Sequence, residues 1–144
     1  MNHAPETNPP RSRARIAATI ARVLLGLGFF VFGGAGLFNL LPPPPPGTMP
    51  AGAEAFSGAL FATGYMLPLI KGTETLCGLL LLLNRFVPLA LVVLAPVVLN
   101  IVAFHVFLAP SGTAVAIVFL ALELYLAWVY RAAFRPLLIA RNAT

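Results

Sequence analysis

Four long apolar segments, Ile16–Leu40, Tyr65–Asn84, Phe86–Leu108 and Thr113–Tyr130, constrain this chain more than any other feature. A helix needs about 20 mostly apolar residues to cross the hydrocarbon core of a bilayer. All four meet that requirement, and the chain as a whole fits it. Of 144 residues 60% are hydrophobic and 9% charged, with a mean hydropathy of +0.94, whereas a soluble domain is nearer roughly 45–50% apolar. The expectation is one all-α integral membrane domain.

The first apolar run follows Arg11, Arg13 and Arg15, and "AGA" at Ala51–Ala53 imitates a signal-peptidase site. A signal peptide's apolar region is only about 7–15 residues long. The run from Ile16 to Leu41 is much longer, so it reads as an uncleaved span. The net charge of +5 does not indicate a nucleic-acid partner, because the arginines bracket apolar segments instead of forming a basic face interleaved with aromatics.

Short connections join the last three segments. "NR" at Asn84–Arg85 and "APSG" at Ala109–Gly112 are turn chemistry between long apolar runs, which predicts an up-and-down four-helix transmembrane bundle. The first connection is longer and opens with "LPPPPPGTMP". Prolines lack N–H donors and favour a stiff extended spacer. The expected layout is a disordered basic segment 1–15, a Pro-rich outer loop 41–53, a short interfacial helix over about 54–64 on the spacing of Phe56, Leu60 and Leu67, and a tail 136–144. Arg85, Arg131, Arg135 and Arg141 fall on the same side as the N-terminal arginines, and the Pro-rich loop and APSG turn carry none. Cytoplasmic loops hold the Lys/Arg excess, so both termini are expected in the cytoplasm.

Against this apolar background the ionisable residues are informative, since each costs at least about 2.5–3.5 kcal/mol near the membrane centre. At about 1.5 Å rise per residue, Lys71 lies roughly 9 Å and Glu74 roughly 14 Å below the outer end of span two. Three residues apart, they share a face and can pair, and Gly78 continues that face. In span one Arg22, Gly26, Phe29, Gly33, Gly36 and Asn39 form a stripe of mostly small or polar residues expected to face the bundle axis. Span three runs outward and brings Asn100 and His105 to the depth of Lys71 and Glu74. The expected polar cluster is thus Lys71, Glu74, Asn100, His105 and Asn39. Asn100 and His105 point about 140° apart on a regular helix, so either Pro96 alters the helix or only one faces inward. Deeper, Arg22 and Glu123 each lie roughly 10 Å from the cytoplasmic surface and are read as an ion pair, the alternative being that Arg22 snorkels to the headgroups.

The stretch "KGTETLCGLLLLLNRFVPLALVVLAPVVLNIVAFHVFLAP", Lys71 to Pro110, with its K-x-x-E, N-R-F-x-P-L-A and P-x-x-x-N-I-x-x-F-H elements, resembles the DoxX family of small four-span bacterial membrane proteins. The resemblance runs from about Arg15 to Arg135. It implies a bacterial cytoplasmic (inner) membrane location, and it marks Lys71, Glu74, Asn100 and His105 as site residues. Relatives associated with thiosulfate:quinone oxidoreduction and oxidative stress imply a redox setting with membrane-associated protein partners.

The residues themselves bound the chemistry. Cys77 is the only cysteine, so one chain cannot build a disulfide, a dithiol relay or a Cys-x-x-Cys zinc site. Bis-histidine haem ligation would need a second histidine in the bundle, and His3 lies in the tail. No HExxH, phosphate loop or Ser–His–Asp arrangement is present, and "GLGFFVFGGAG" imitates dinucleotide glycines without a βαβ unit around it, so helix packing explains it. No metal site is expected, and a quinone is the candidate cofactor. The leading expectation is a non-catalytic membrane or quinone-interacting component of a redox system. Alternatives are binding or transport of a small amphiphile or lipid, and a membrane adaptor that recruits soluble partners through its basic ends. The expected partners are the lipid bilayer, membrane-associated redox proteins and further copies of the chain in a homo-oligomer.

Overall fold

The structure, a computed structural model, describes residues 10–42 and 44–138. The expectations for segments 1–9 and 139–144 lie outside these residues. The regular elements of the described residues are all helices, with no strand among them: α1 (Pro10–Leu37), α2 (Ala51–Ala62), α3 (Met66–Leu82), α4 (Val87–Phe107), α5 (Thr113–Val129) and a short α6 (Arg131–Phe134), with single 3-10 turns at Pro110–Gly112 and Arg135–Leu138. Three stretches, Arg13–Leu37, Val87–Phe107 and Pro110–Val129, are long and apolar enough to cross a membrane. A fourth would be α3, which has 17 residues and meets the same test only together with α2, from which it is bent by 92°.

Helix α1 begins at Pro10, so residues 10–15, expected to be disordered, are helical. Arginine and alanine are good helix formers and proline suits the first helical position. At its other end α1 stops at Leu37, short of the expected Leu40, because Asn39 takes the left-handed conformation with φ 52°. The Leu40 N–H then reaches the Ala35 carbonyl at 2.8 Å and the Asn39 N–H the Gly36 carbonyl at 3.4 Å, the pairing that closes a helix when the residue after the cap is left-handed. Asn84 repeats the device after α3, with φ 54° and bonds from Arg85 N to Leu80 O at 2.9 Å and from Asn84 N to Leu81 O at 3.1 Å.

The break between α2 and α3 is built by Thr63 and Gly64. The Thr63 hydroxyl donates to Leu60 O at 2.7 Å and accepts the Met66 N–H at 3.0 Å, ending one helix and starting the next, while Gly64 at φ +75° turns the chain.

α1 packs on α3 and α5, and α4 packs on the same two helices, so the four long helices close into a bundle. The closest pair is α1 with α3, antiparallel, where glycines replace side chains. A Cβ on Gly26 would stand 3.0 Å from Leu81 Cβ, one on Gly33 2.8 Å from Glu74 Cβ, and one on Gly36 2.8 Å from Lys71 Cδ. Gly78 answers from α3, its missing Cβ position 2.8 Å from Gly26 O. From Arg22 to Gly36 the stripe expected on span one therefore does face inward, with its glycines against α3, and small residues let the backbones approach. Its last member, Asn39, does not and is exposed. Leu25, Leu81, Leu94 and Leu126 are fully buried along the axis, whereas Leu24, Leu27, Leu76, Leu99 and Leu124 are exposed around the outside. A mantle of exposed leucines on helices of this length is what a lipid environment covers.

Candidate functional site

The α1–α3 register places Lys71 and Glu74 on the inner face of α3, opposite Gly36 and Gly33. Lys71 Nζ donates to Glu74 Oε2 at 2.8 Å, with the glutamate side chain 3% exposed and the lysine 27%. The expected pairing is present. Glycine on α1 is the local reason, because any larger side chain at Gly33 or Gly36 would collide with the pair.

Two hollows share this pair. The larger, about 440 Å³, lies among α2, α3 and α4 and is lined by Lys71, Glu74, Asn100 and His105 together with apolar residues including Phe56, Met66, Ile70, Pro96, Val97 and Phe104. The smaller, about 270 Å³, lies toward α1 and α5 and is lined by Phe29, Phe32, Val115, Ala116 and Phe119. Lys71, Glu74, Ile101 and His105 belong to both and form the wall between them. Asn100 and His105, which a regular helix would point well apart, both reach the larger hollow, with Asn100 exposed at its rim and Pro96 in the same wall.

His105 is held by the α4–α5 connection. Its Nδ1 is 3.0 Å from Ala109 O, the Thr113 hydroxyl donates to His105 O at 3.2 Å, and Phe104 meets its ring edge-on at a centroid distance of 5.2 Å. Gly112 lies against the imidazole so closely that a Cβ there would overlap the ring. Phe104 in turn packs on Phe56 of α2 with centroids 5.6 Å apart, so α2 forms the outer wall of the larger hollow.

Two expectations are corrected. Asn39 does not join the cluster: it closes α1 as described, is exposed, and borders a separate hollow with Gly36, Phe61 and Pro68. Asparagine tolerates the left-handed conformation needed there, which accounts for its place at the end of the stripe. Arg22 and Glu123 do not form an ion pair, since Lys71–Glu74 is the one within 4.0 Å among the described residues. Arg22 is buried, so it does not snorkel either. Its Nη1 donates to Leu81 O, and to Leu82 O at 3.3 Å. These are last-turn carbonyls of α3, where a helix end carries partial negative charge and lacks intrahelical donors. Glu123 is 5% exposed, and its Oε1 has no hydrogen-bond partner.

The aromatic wall of the smaller hollow was not singled out from the sequence. Phe29 and Phe119 meet edge-to-face at 5.2 Å, and Gly28 makes room for the Phe119 ring. In the sequence these residues are ordinary members of apolar runs. Gly112 carried a weak signal as part of the APSG turn, without indication that it seats a histidine. Cys77 is buried and lines neither hollow, and no group of three or more metal-ligating side chains occurs among the described residues. Chemically, the arrangement offers an ammonium, a carboxylate, an imidazole and an amide beside apolar and aromatic walls. Such a site can orient a polar head while burying an apolar body. Comparison with known proteins adds no relative, for no family model, curated protein or solved structure matches the chain.

Proposed function

We propose that this protein is a four-span component of a bacterial inner membrane, of DoxX type, that binds a small quinone-like amphiphile and performs no redox chemistry by itself. The single observation that carries the reading is the hollow of about 440 Å³ in which Lys71, Glu74, Asn100 and His105 meet an otherwise apolar lining. Ionisable groups inside a membrane are expensive and mark ligand or ion pathways. Here a polar head would meet the wall shared by the two hollows, and an apolar tail would lie along Met66, Ile70 and Val97 toward the lipid.

In this reading α3, running beside α1, is the fourth span, its 17 residues extending about 26 Å, slightly short of a core of about 30 Å. An even number of spans puts both termini on one side, and the arginines flanking that side make it the cytoplasmic one. Arg131 stacks on the exposed Trp128, 4.7 Å from the ring centroid, and donates to Trp128 O at 2.9 Å, an aromatic and basic anchor suited to the cytoplasmic interface. Titration of a short-tailed hydroquinone, alongside its benzoquinone, into the protein in lipid nanodiscs tests the binding reading. Saturable binding that is weakened by Lys71→Met is expected. The absence of saturable binding would refute it. Topology is tested separately in a Cys77→Ala background, where a cysteine at Gly47 should label from outside the cell and one at Arg85 should not.

A further inference from the structure

The carbonyl of Ala109 determines what His105 offers a ligand. A backbone carbonyl only accepts hydrogen bonds, so Nδ1, 3.0 Å away, carries the proton. In the neutral ring Nε2 then has a free lone pair and accepts. The ring cannot easily turn over to present the other nitrogen, because Gly112 lies against it and Phe104 meets its edge. On the same wall Glu74 is a second acceptor: Lys71 Nζ engages Oε2 and leaves the other oxygen of the carboxylate for a ligand.

We propose, resting on the amphiphile-binding reading above, that this wall selects head groups that donate a hydrogen bond. The favoured ligand is a hydroxylated ring, a phenol or hydroquinone, over a ring whose oxygens only accept. A hydroxyl hydrogen satisfies Nε2 or the carboxylate. A carbonyl or ether oxygen can still accept from Lys71 Nζ, which lines both hollows and gives Glu74 one of its three hydrogens, but against Nε2 or the carboxylate it sets lone pair against lone pair. A hydroxyl makes both contacts, a difference of roughly tenfold or more in affinity. Phe29, Phe32 and Phe119 on the α1–α5 side of the wall supply ring faces and edges for a planar head.

The test compares two redox-inert probes of nearly equal shape, an alkylphenol and its methyl ether, by calorimetric titration into the full-length protein in nanodiscs. The phenol is expected to bind about tenfold tighter or better. In His105→Phe, which keeps a ring against Gly112 and removes both nitrogens, the preference should fall substantially toward that of Glu74 alone. Equal binding of the two probes by the wild-type protein overturns donor selection and leaves amphiphile binding standing. Failure of both probes to bind overturns both. An undiminished preference in a folded His105→Phe overturns the role of the imidazole. The wild-type comparison decides the main point even where the variant fails to fold.

Discussion

Lys71 Nζ and Glu74 Oε2 stand 2.8 Å apart across one turn of α3, and the pair is unevenly buried, with the lysine side chain 27% exposed and the glutamate 3%. Removing Lys71 strands a buried carboxylate, whereas removing Glu74 strands an ammonium that already reaches the hollow. Lys71→Met should therefore destabilise the protein more than Glu74→Leu, by up to about 3–5 kcal/mol, and the double replacement should be milder than Lys71→Met alone. Thermal melting of the single and double variants in detergent measures this. Additive losses, with the double variant worst, would show that the two residues do not act as a pair.

The glycine contacts between α1 and α3 predict a sharp contrast between neighbouring positions. A Cβ on Gly78 would stand 2.8 Å from Gly26 O and 2.9 Å from Phe29 C, while one on Gly72 meets nothing within 4 Å. Gly78→Ala should cost about 1–3 kcal/mol. Gly72→Ala should be neutral or stabilising by up to about 1 kcal/mol, since alanine is the better helix former. Melting temperatures of the two variants, side by side, check the register directly.

Asn39 and Asn84 both sit at positive φ, at 52° and 54°, immediately beyond their helices. Replacement by glycine should leave stability unchanged or slightly raised, because glycine enters this conformation freely. Replacement by alanine should cost roughly 1–2 kcal/mol. Ligand affinity should be unaffected in Asn39→Gly, since Asn39 lies outside both hollows that contain Lys71. Loss of binding in that variant would return Asn39 to the site.

Arg22 and Glu123 should behave independently. Arg22 is tied to the carbonyls at the end of α3, and Glu123 has an unpartnered oxygen. The losses in Arg22→Met and Glu123→Gln should add to within about 0.5 kcal/mol in the double variant. A large coupling term in the double-mutant cycle would mean that the two charges meet.

The helical architecture was legible in the sequence because apolar runs of membrane length with short Asn-Arg and Ala-Pro-Ser-Gly connections leave few other arrangements. The Lys71–Glu74 pair was legible for a similar reason, since spacing within one helix fixes geometry. What spacing does not fix is which helix a long side chain reaches. Depth alone made Arg22 and Glu123 a natural pair, but a guanidinium takes any acceptor within reach, and the end of α3 comes closest once the glycines have drawn α1 against it. Asn39 misled in another way: its place at the end of a stripe came from the backbone conformation it adopts, not from a face it shares. The seat that Gly112 and Ala109 provide for His105 depends on how the chain folds back after α4, which no periodicity records.

The central claim is that the space around Lys71, Glu74 and His105 holds an amphiphile, and native mass spectrometry of the protein released from its own membranes tests it most directly. Ile101 lines both hollows and carries no charge, so Ile101→Trp fills the space without altering the polar groups. The wild-type protein should carry a bound amphiphile, and Ile101→Trp, melting at a similar temperature, should carry none. A wild-type protein without adduct, or an Ile101→Trp variant that retains the same adduct in the same proportion, would contradict the account.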